Sequence, residues 1–280
     1  MRIFRIGLFL LILMILHALL IGFKVTGKVS FMYQDNIKSY INNNPDSTVT
    51  FYYNLTCDNK HNNYYDCSFE LKGLVSDQIR VKPELMEIVR MITRGFRVNF
   101  GIDENLNFVY LPDVEYFYSS DPVYKKYQDR IDENTFKDFS KSLFYNFYDW
   151  FGKLKKRGYI DMIKFGFYVD YNVFYESASS NLYLPIGRER YRAKFLNLKA
   201  NISNIYSNTD FFNGMRMVEG YINSYEYYEH DTYVPLLFQR ELIMRFEILD
   251  PIAKQQYFEK YKRYDVEYKI LKTMVLLYKN

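Results

Sequence analysis

Hydrophobic and polar positions alternate in three different ways along this chain. Residues 6–23 form an apolar run, IGLFLLILMILHALLIGF, set between Arg2 and Arg5 on one side and Lys24 and Lys28 on the other. About 18 such residues in a helix roughly match the hydrocarbon thickness of a bilayer, and the run is longer than a typical secretory signal core. It therefore reads as an uncleaved signal-anchor, with the N-terminus inside and residues 29–280 extracytoplasmic (periplasm or cell exterior).

Further on the period falls to two. Val49, Phe51, Tyr53, Leu55 and Cys57 alternate with polar or half-polar neighbours, and so do Cys67, Phe69, Leu71, Gly73 and Val75. These are two strands. An antiparallel register that sets Cys57 against Cys67 also sets Leu55 against Phe69, Tyr53 against Leu71 and Val49 against Val75. One register thus satisfies both cysteines and the apolar face, and it predicts a Cys57–Cys67 disulfide. More strands are expected over 97–102, 106–111, 163–173, 189–205, 215–227, 241–249 and 266–277.

Helical spacing of apolar residues marks the third pattern. A short helix is expected over 34–41, before the turn at Asn42-Asn-Asn-Pro-Asp46, and longer ones over 83–94, 135–154 and 251–263. The last begins at Pro251 behind Asp250 as its cap. Hairpins separated by helices predict an α+β fold with antiparallel sheet and about three amphipathic helices. The reading divides the chain into the anchor (1–28), a ββαββ part (29–118), a possible boundary (119–133) and a C-terminal α+β part (134–280).

Charge adds one exclusion. Arg2, Arg5, Lys24 and Lys28 supply four of the 37 cations and the first acid is Asp35, so residues 29–280 hold 33 of each sign. A neutral body argues against nucleic acid as a partner. Thirty Tyr and 24 Phe against one Trp is an unusual aromatic load, but composition alone assigns it no role.

Candidate chemistry is sparse. In Arg188-Glu-Arg-Tyr-Arg-Ala-Lys194, strand alternation puts Arg188, Arg190, Arg192 and Lys194 on one side, which suits an anionic ligand such as a lipid headgroup or wall polymer; a charged edge strand that resists aggregation is the plainer explanation. Glu226, Glu229, His230 and Asp231 could ligate a metal, but read better as a polar loop, so no metal or cofactor is assigned. Of the three histidines, His17 lies in the apolar run and His61 in the hairpin loop, which leaves His230 as the one member available to a catalytic triad. No nucleophile elbow, phosphate-binding glycine loop or zinc spacing is present.

The sequence accordingly favours a membrane-anchored binding or scaffold component of the cell envelope, joined to the membrane by residues 6–23 and to another envelope protein. A membrane-anchored hydrolase and a lipid-binding module are the alternatives. The lipid-binding reading gains if the sheet curves around an apolar groove, the enzyme if carboxylates converge in a pocket.

Overall fold

A computed structural model describes residues 23–59, 64–76, 97–110, 157–162, 165–207 and 214–280. These fold almost entirely into one antiparallel sheet. Its strands are β1 (Lys28–Ile41), β2 (Asn44–Asp58), β3 (Tyr65–Ser76), β4 (Arg97–Ile102), β5 (Phe108–Tyr110), β6 (Arg157–Met162), β7 (Phe165–Ile186), β8 (Glu189–Ser207), β9 (Met215–Glu229), β10 (Pro235–Ile248) and β11 (Asp265–Lys279). The spatial order is β5-β4-β3-β2-β1-β11-β10-β9-β8-β7-β6. Every neighbour is also a neighbour in sequence except β1 and β11, whose pairing from Phe31 opposite Lys279 to Ile41 opposite Tyr268 joins the two halves of the chain.

The expected α+β class is therefore corrected. Among the described residues there is one helix, α1 (Pro251–Tyr261), in place of about three amphipathic ones, and none of its side chains is buried. It forms where the sequence places it: Asp250 accepts from the Ala253 amide at 2.8 Å, Pro251 opens the first turn and Lys262 closes the last in a left-handed conformation. The helix expected over 34–41 is instead the second half of β1. Its inward positions are Phe31, Tyr33, Asp35, Ile37 and Ser39, and the two polar residues among them disguise a period of two. The helices expected over 83–94 and 135–154, and the boundary at 119–133, lie outside the described residues.

The single-pass membrane placement is corrected too. Among the described residues no helix is long and apolar enough to cross a membrane. Residues 6–22 lie outside the described residues, but Phe23, which ends the apolar run, is buried in the sheet core. Its ring meets Tyr65 edge-on at 5.2 Å and Phe31 at 6.4 Å. Apolar character at Phe23 and Val25 thus serves packing within the protein, and the signal-anchor and the extracytoplasmic location built on it are withdrawn.

The sheet is rolled. Between β4 and β8 lie six strands, and in a flat sheet at roughly 4.8 Å per strand the two would stand about 34 Å apart. Yet the β4–β5 turn and β8 line the same cavity. The enclosed face carries the core, with Tyr33, Tyr53, Tyr171, Tyr268, Phe31, Phe69 and Phe100 among its largest buried side chains. Part of the aromatic excess is therefore core filling.

The β2–β3 hairpin has the expected register over its closed end: Cys57 faces Cys67, Leu55 faces Phe69 and Tyr53 faces Leu71. A bulge between Tyr52 and Tyr53 then shifts the ladder, so Val49 faces Ser76 and not Val75. The disulfide is formed, with a sequence separation of 10. A loop of this size stabilises by about 2–3 kcal/mol in the chain-entropy account. Replacing both cysteines by serine should lower the denaturant midpoint accordingly, and the wild type should lose the same amount on reduction. Urea unfolding of wild type and variant, with and without reductant, checks this; a variant as stable as the oxidised protein would contradict it.

Candidate functional site

The cavity that rolling creates has a volume of about 410 Å³ and mainly apolar walls. Its floor is set by the residues that precede β1. The Phe23 amide donates to the Glu104 carbonyl at 2.6 Å, and the Lys24 amide to the Thr232 carbonyl at 2.8 Å. This short segment therefore straps the β4–β5 turn to the β9–β10 loop across one end of the roll.

Asp103 shapes the β4–β5 turn. Its carboxylate accepts from the amides of Asn105 and Asn107, both at 2.8 Å, and from the Asn107 side chain at 3.1 Å. That network holds Leu106 at a positive φ of 60°, uncommon for leucine, and delivers its buried side chain to the cavity wall. Glu104 and Asn105 sit exposed at the rim.

The opposite wall comes from Glu176 and Ala178 of β7 and Lys194, Phe195 and Leu196 of β8. Tyr228 of β9 and Tyr233 of the following loop complete it. Lys194 pairs with Tyr228 across the β8–β9 ladder and donates to the Tyr233 hydroxyl. Among the described lining residues it is the one cation and is partly buried, whereas the two glutamates there are exposed.

The basic stretch singled out in the sequence divides here. Lys194 reaches the cavity, but Arg188, Arg190 and Arg192 lie beyond it, on a two-stranded arm. The β8–β9 ladder begins at Ala193, while β7 and β8 stay paired out to Ile186 and Glu189. Arg192 donates to Asn181 across the arm at 3.2 Å.

The acidic group is also separated. Glu226 lies inside the roll. Glu229 is held by Lys279 at 2.8 Å and by the Thr232 hydroxyl, and His230 by Asp231 at 2.7 Å. Among the described residues no group of three or more His, Cys, Asp or Glu side chains is arranged to hold a metal.

Sequence reading missed a row of buried polar side chains across the enclosed face. Glu226 accepts from Arg240 at 2.5 Å, from the Ser224 hydroxyl at 2.8 Å and from the Tyr228 hydroxyl at 2.5 Å. Arg240 faces Lys272 across the β10–β11 ladder, and Lys272 meets Asp35 at 2.9 Å. The Tyr53 hydroxyl completes the row, donating to Asp35 at 3.2 Å. Two acids and two bases are thus buried on four adjacent strands, joined to the cavity through Tyr228. Burial raises the Asp35 carboxyl above its ordinary value despite Lys272, and raises the Tyr228 hydroxyl strongly, with Glu226 adding to it. The available signal was charge at inward parity: Arg240 between Phe238 and Leu242, Lys272 between Ile270 and Met274.

Chemically, both buried carboxylates are held by cations, an arrangement suited to fixing a structure more than to shuttling protons. The cavity, by contrast, has the size and apolar lining of a small-molecule site. No protein-family profile matches the chain, and no curated protein matches it in sequence.

Proposed function

We propose that this protein is a binding module that encloses a small amphiphilic molecule in the rolled sheet. The carrying observation is the apolar cavity of about 410 Å³, walled by Phe23, Leu106, Leu196 and Tyr228. The ligand's apolar body packs against these side chains, and Lys194 supports a negatively charged end. Glu104 and Glu176 are exposed, so solvent screens them more than it screens Lys194.

The test is titration with anilinonaphthalene sulfonate, an anionic apolar fluorophore, against the wild type and Ala178→Trp. Ala178 is an exposed lining residue, so tryptophan there fills the cavity without entering the core. Saturable binding that weakens about tenfold, or about 1.4 kcal/mol, is expected, with an unchanged melting temperature. Equal binding by both proteins would exclude the cavity as the site. Lys194→Met should weaken the anionic probe more than the neutral dye Nile red.

A scaffold role toward another protein is a second reading. It rests on Val173, Phe174 and Tyr175 of β7, where Phe174 is 62 % exposed beside a register shift in the β7–β8 ladder. Crosslinking in the native host would support it if a protein partner were joined through these residues. Recovery of none would remove it.

A further inference from the structure

The β7–β8 arm has two unlike faces. Cross-strand partners share a face, so Leu184 and Tyr191, and Ile186 and Glu189, point one way, while Tyr183 and Arg192, and Pro185 and Arg190, point the other. The first face turns onto the body: Ile186 is buried, and Leu184 and Tyr191 pack against the core. Glu189 is on this side, where it accepts from the Tyr191 hydroxyl at 2.5 Å.

The second face looks outward. Arg190 and Arg192 sit two residues apart on it, about 6.8 Å along the strand, and Arg188 follows Gly187 in the turn. All three are exposed, and the arm's only acid lies on the other face. Tyr183 stands beside Arg192 at 70 % exposure. A carboxylate that feels Arg192 is Asp231 in the β9–β10 loop, whose acidity is raised mainly by its hydrogen bond to His230 and to a smaller extent by Arg192 and Lys194. It therefore faces the base of the arm, away from Arg188 and Arg190 at its tip.

We propose that this outer face is a docking surface for an anionic lipid bilayer. Two guanidinium groups at the tip, Arg188 and Arg190, with no acidic partner among the described residues, and a third at the base, Arg192, suit phosphate and carboxylate headgroups. An exposed tyrosine among them, Tyr183, supplies the apolar contact that an interface offers and a dissolved polyanion does not. Residues 29–280 carry 33 cations and 33 acids, so the body provides no general attraction to polyanions and the arm must supply it locally. The proposal does not depend on a ligand in the cavity.

The experiment uses the whole chain with an environment-sensitive fluorophore attached at Tyr183→Cys, mixed with vesicles of phosphatidylcholine alone or phosphatidylcholine with phosphatidylserine. A blue shift that is quenched by brominated acyl chains, appears with phosphatidylserine and fades with salt is expected. Adding Arg188→Ser and Arg190→Ser should weaken it about thirtyfold, the affinity that two cations contribute at an anionic leaflet. Four results would overturn the proposal: no shift with phosphatidylserine vesicles, an equal shift with phosphatidylcholine alone, no difference in the serine variant, or a shift with heparin and none with vesicles. Unfolding midpoints for each variant separate loss of docking from loss of fold.

Discussion

Replacing Arg240 with methionine should lower the unfolding free energy by about 3–5 kcal/mol. Arg240 and Glu226 are both buried, and their oxygen and nitrogen approach to 2.5 Å. Taking two such ions from water costs several kcal/mol each, and their mutual attraction together with the Ser224 and Tyr228 hydroxyls offsets that cost. Removing the cation leaves Glu226 with two neutral donors and no counter-charge. The same reasoning makes the double variant Arg240→Met with Glu226→Leu the sharper measurement. Both desolvation costs then vanish together, and stability should return to within about 1–2 kcal/mol of the wild type. Urea unfolding at neutral pH of the two single variants and the double one supplies the cycle. A loss under about 1 kcal/mol for Arg240→Met would place the pair among ordinary surface ion pairs and refute its burial.

That buried row also explains where the sequence was readable and where it was not. Strands whose inward residues are all apolar announced themselves: in β2 and β3 the alternation and the cysteines together gave the register from Cys57 through Tyr53. β11 and α1 were equally plain, the first from its alternation and the second from Asp250 and Pro251 at its start. Two strands that carry charge inward did not, although β9 with Glu226 and β11 with Lys272 were read as strands. In β1, Asp35 and Ser39 interrupt the apolar parity, so residues 34–41 mimicked an amphipathic helix. In β10, Arg240 concealed the first half of a strand that begins at Pro235. The partner that makes an inward charge tolerable lies far away in sequence, as Lys272 does for Asp35, and no local window contains both. The same separation hid the cavity, whose walls come from residue 23, a turn near 105 and strands beyond 170. At Glu226–Asp231, clustering in sequence suggested one polar loop, yet Glu226 lies on β9 and points into the core, while Asp231 sits exposed in the turn beyond the strand. The basic stretch at Arg188–Lys194 was visible as a pattern, but its division between an arm and a cavity depends on where β9 ends.

Lys272→Met should destabilise the protein by a comparable amount, about 3–5 kcal/mol at neutral pH, but with a pH dependence that identifies the cause. Burial is the largest influence on the Asp35 carboxyl and raises it, and the Lys272 ammonium is the largest opposing one. Without Lys272 the folded-state value rises further, while in the unfolded chain the carboxyl keeps its ordinary value near 3.8. Below that value both states hold the proton and the variant bears no charge penalty. Above it the unfolded chain releases the proton first, so stability falls as pH rises, until the folded-state value is passed and the loss levels off. The cost of Lys272→Met should thus shrink as pH is lowered from about 7 towards about 4. Half-buried acids at the surface work in the opposite sense: Arg216 holds Glu247 and Arg263 holds Asp265 below their usual range, so each adds stability at neutral pH that is lost on acidification. Because those groups are common to wild type and variant, the difference between the two isolates Asp35. Adding Asp35→Asn to Lys272→Met should remove the pH dependence and recover part of the stability, since no uncompensated charge remains. Urea midpoints for the three proteins across that window decide it. A cost for Lys272→Met that is flat between about pH 4 and about pH 7 would mean that Lys272 is not what opposes the effect of burial on the Asp35 carboxyl.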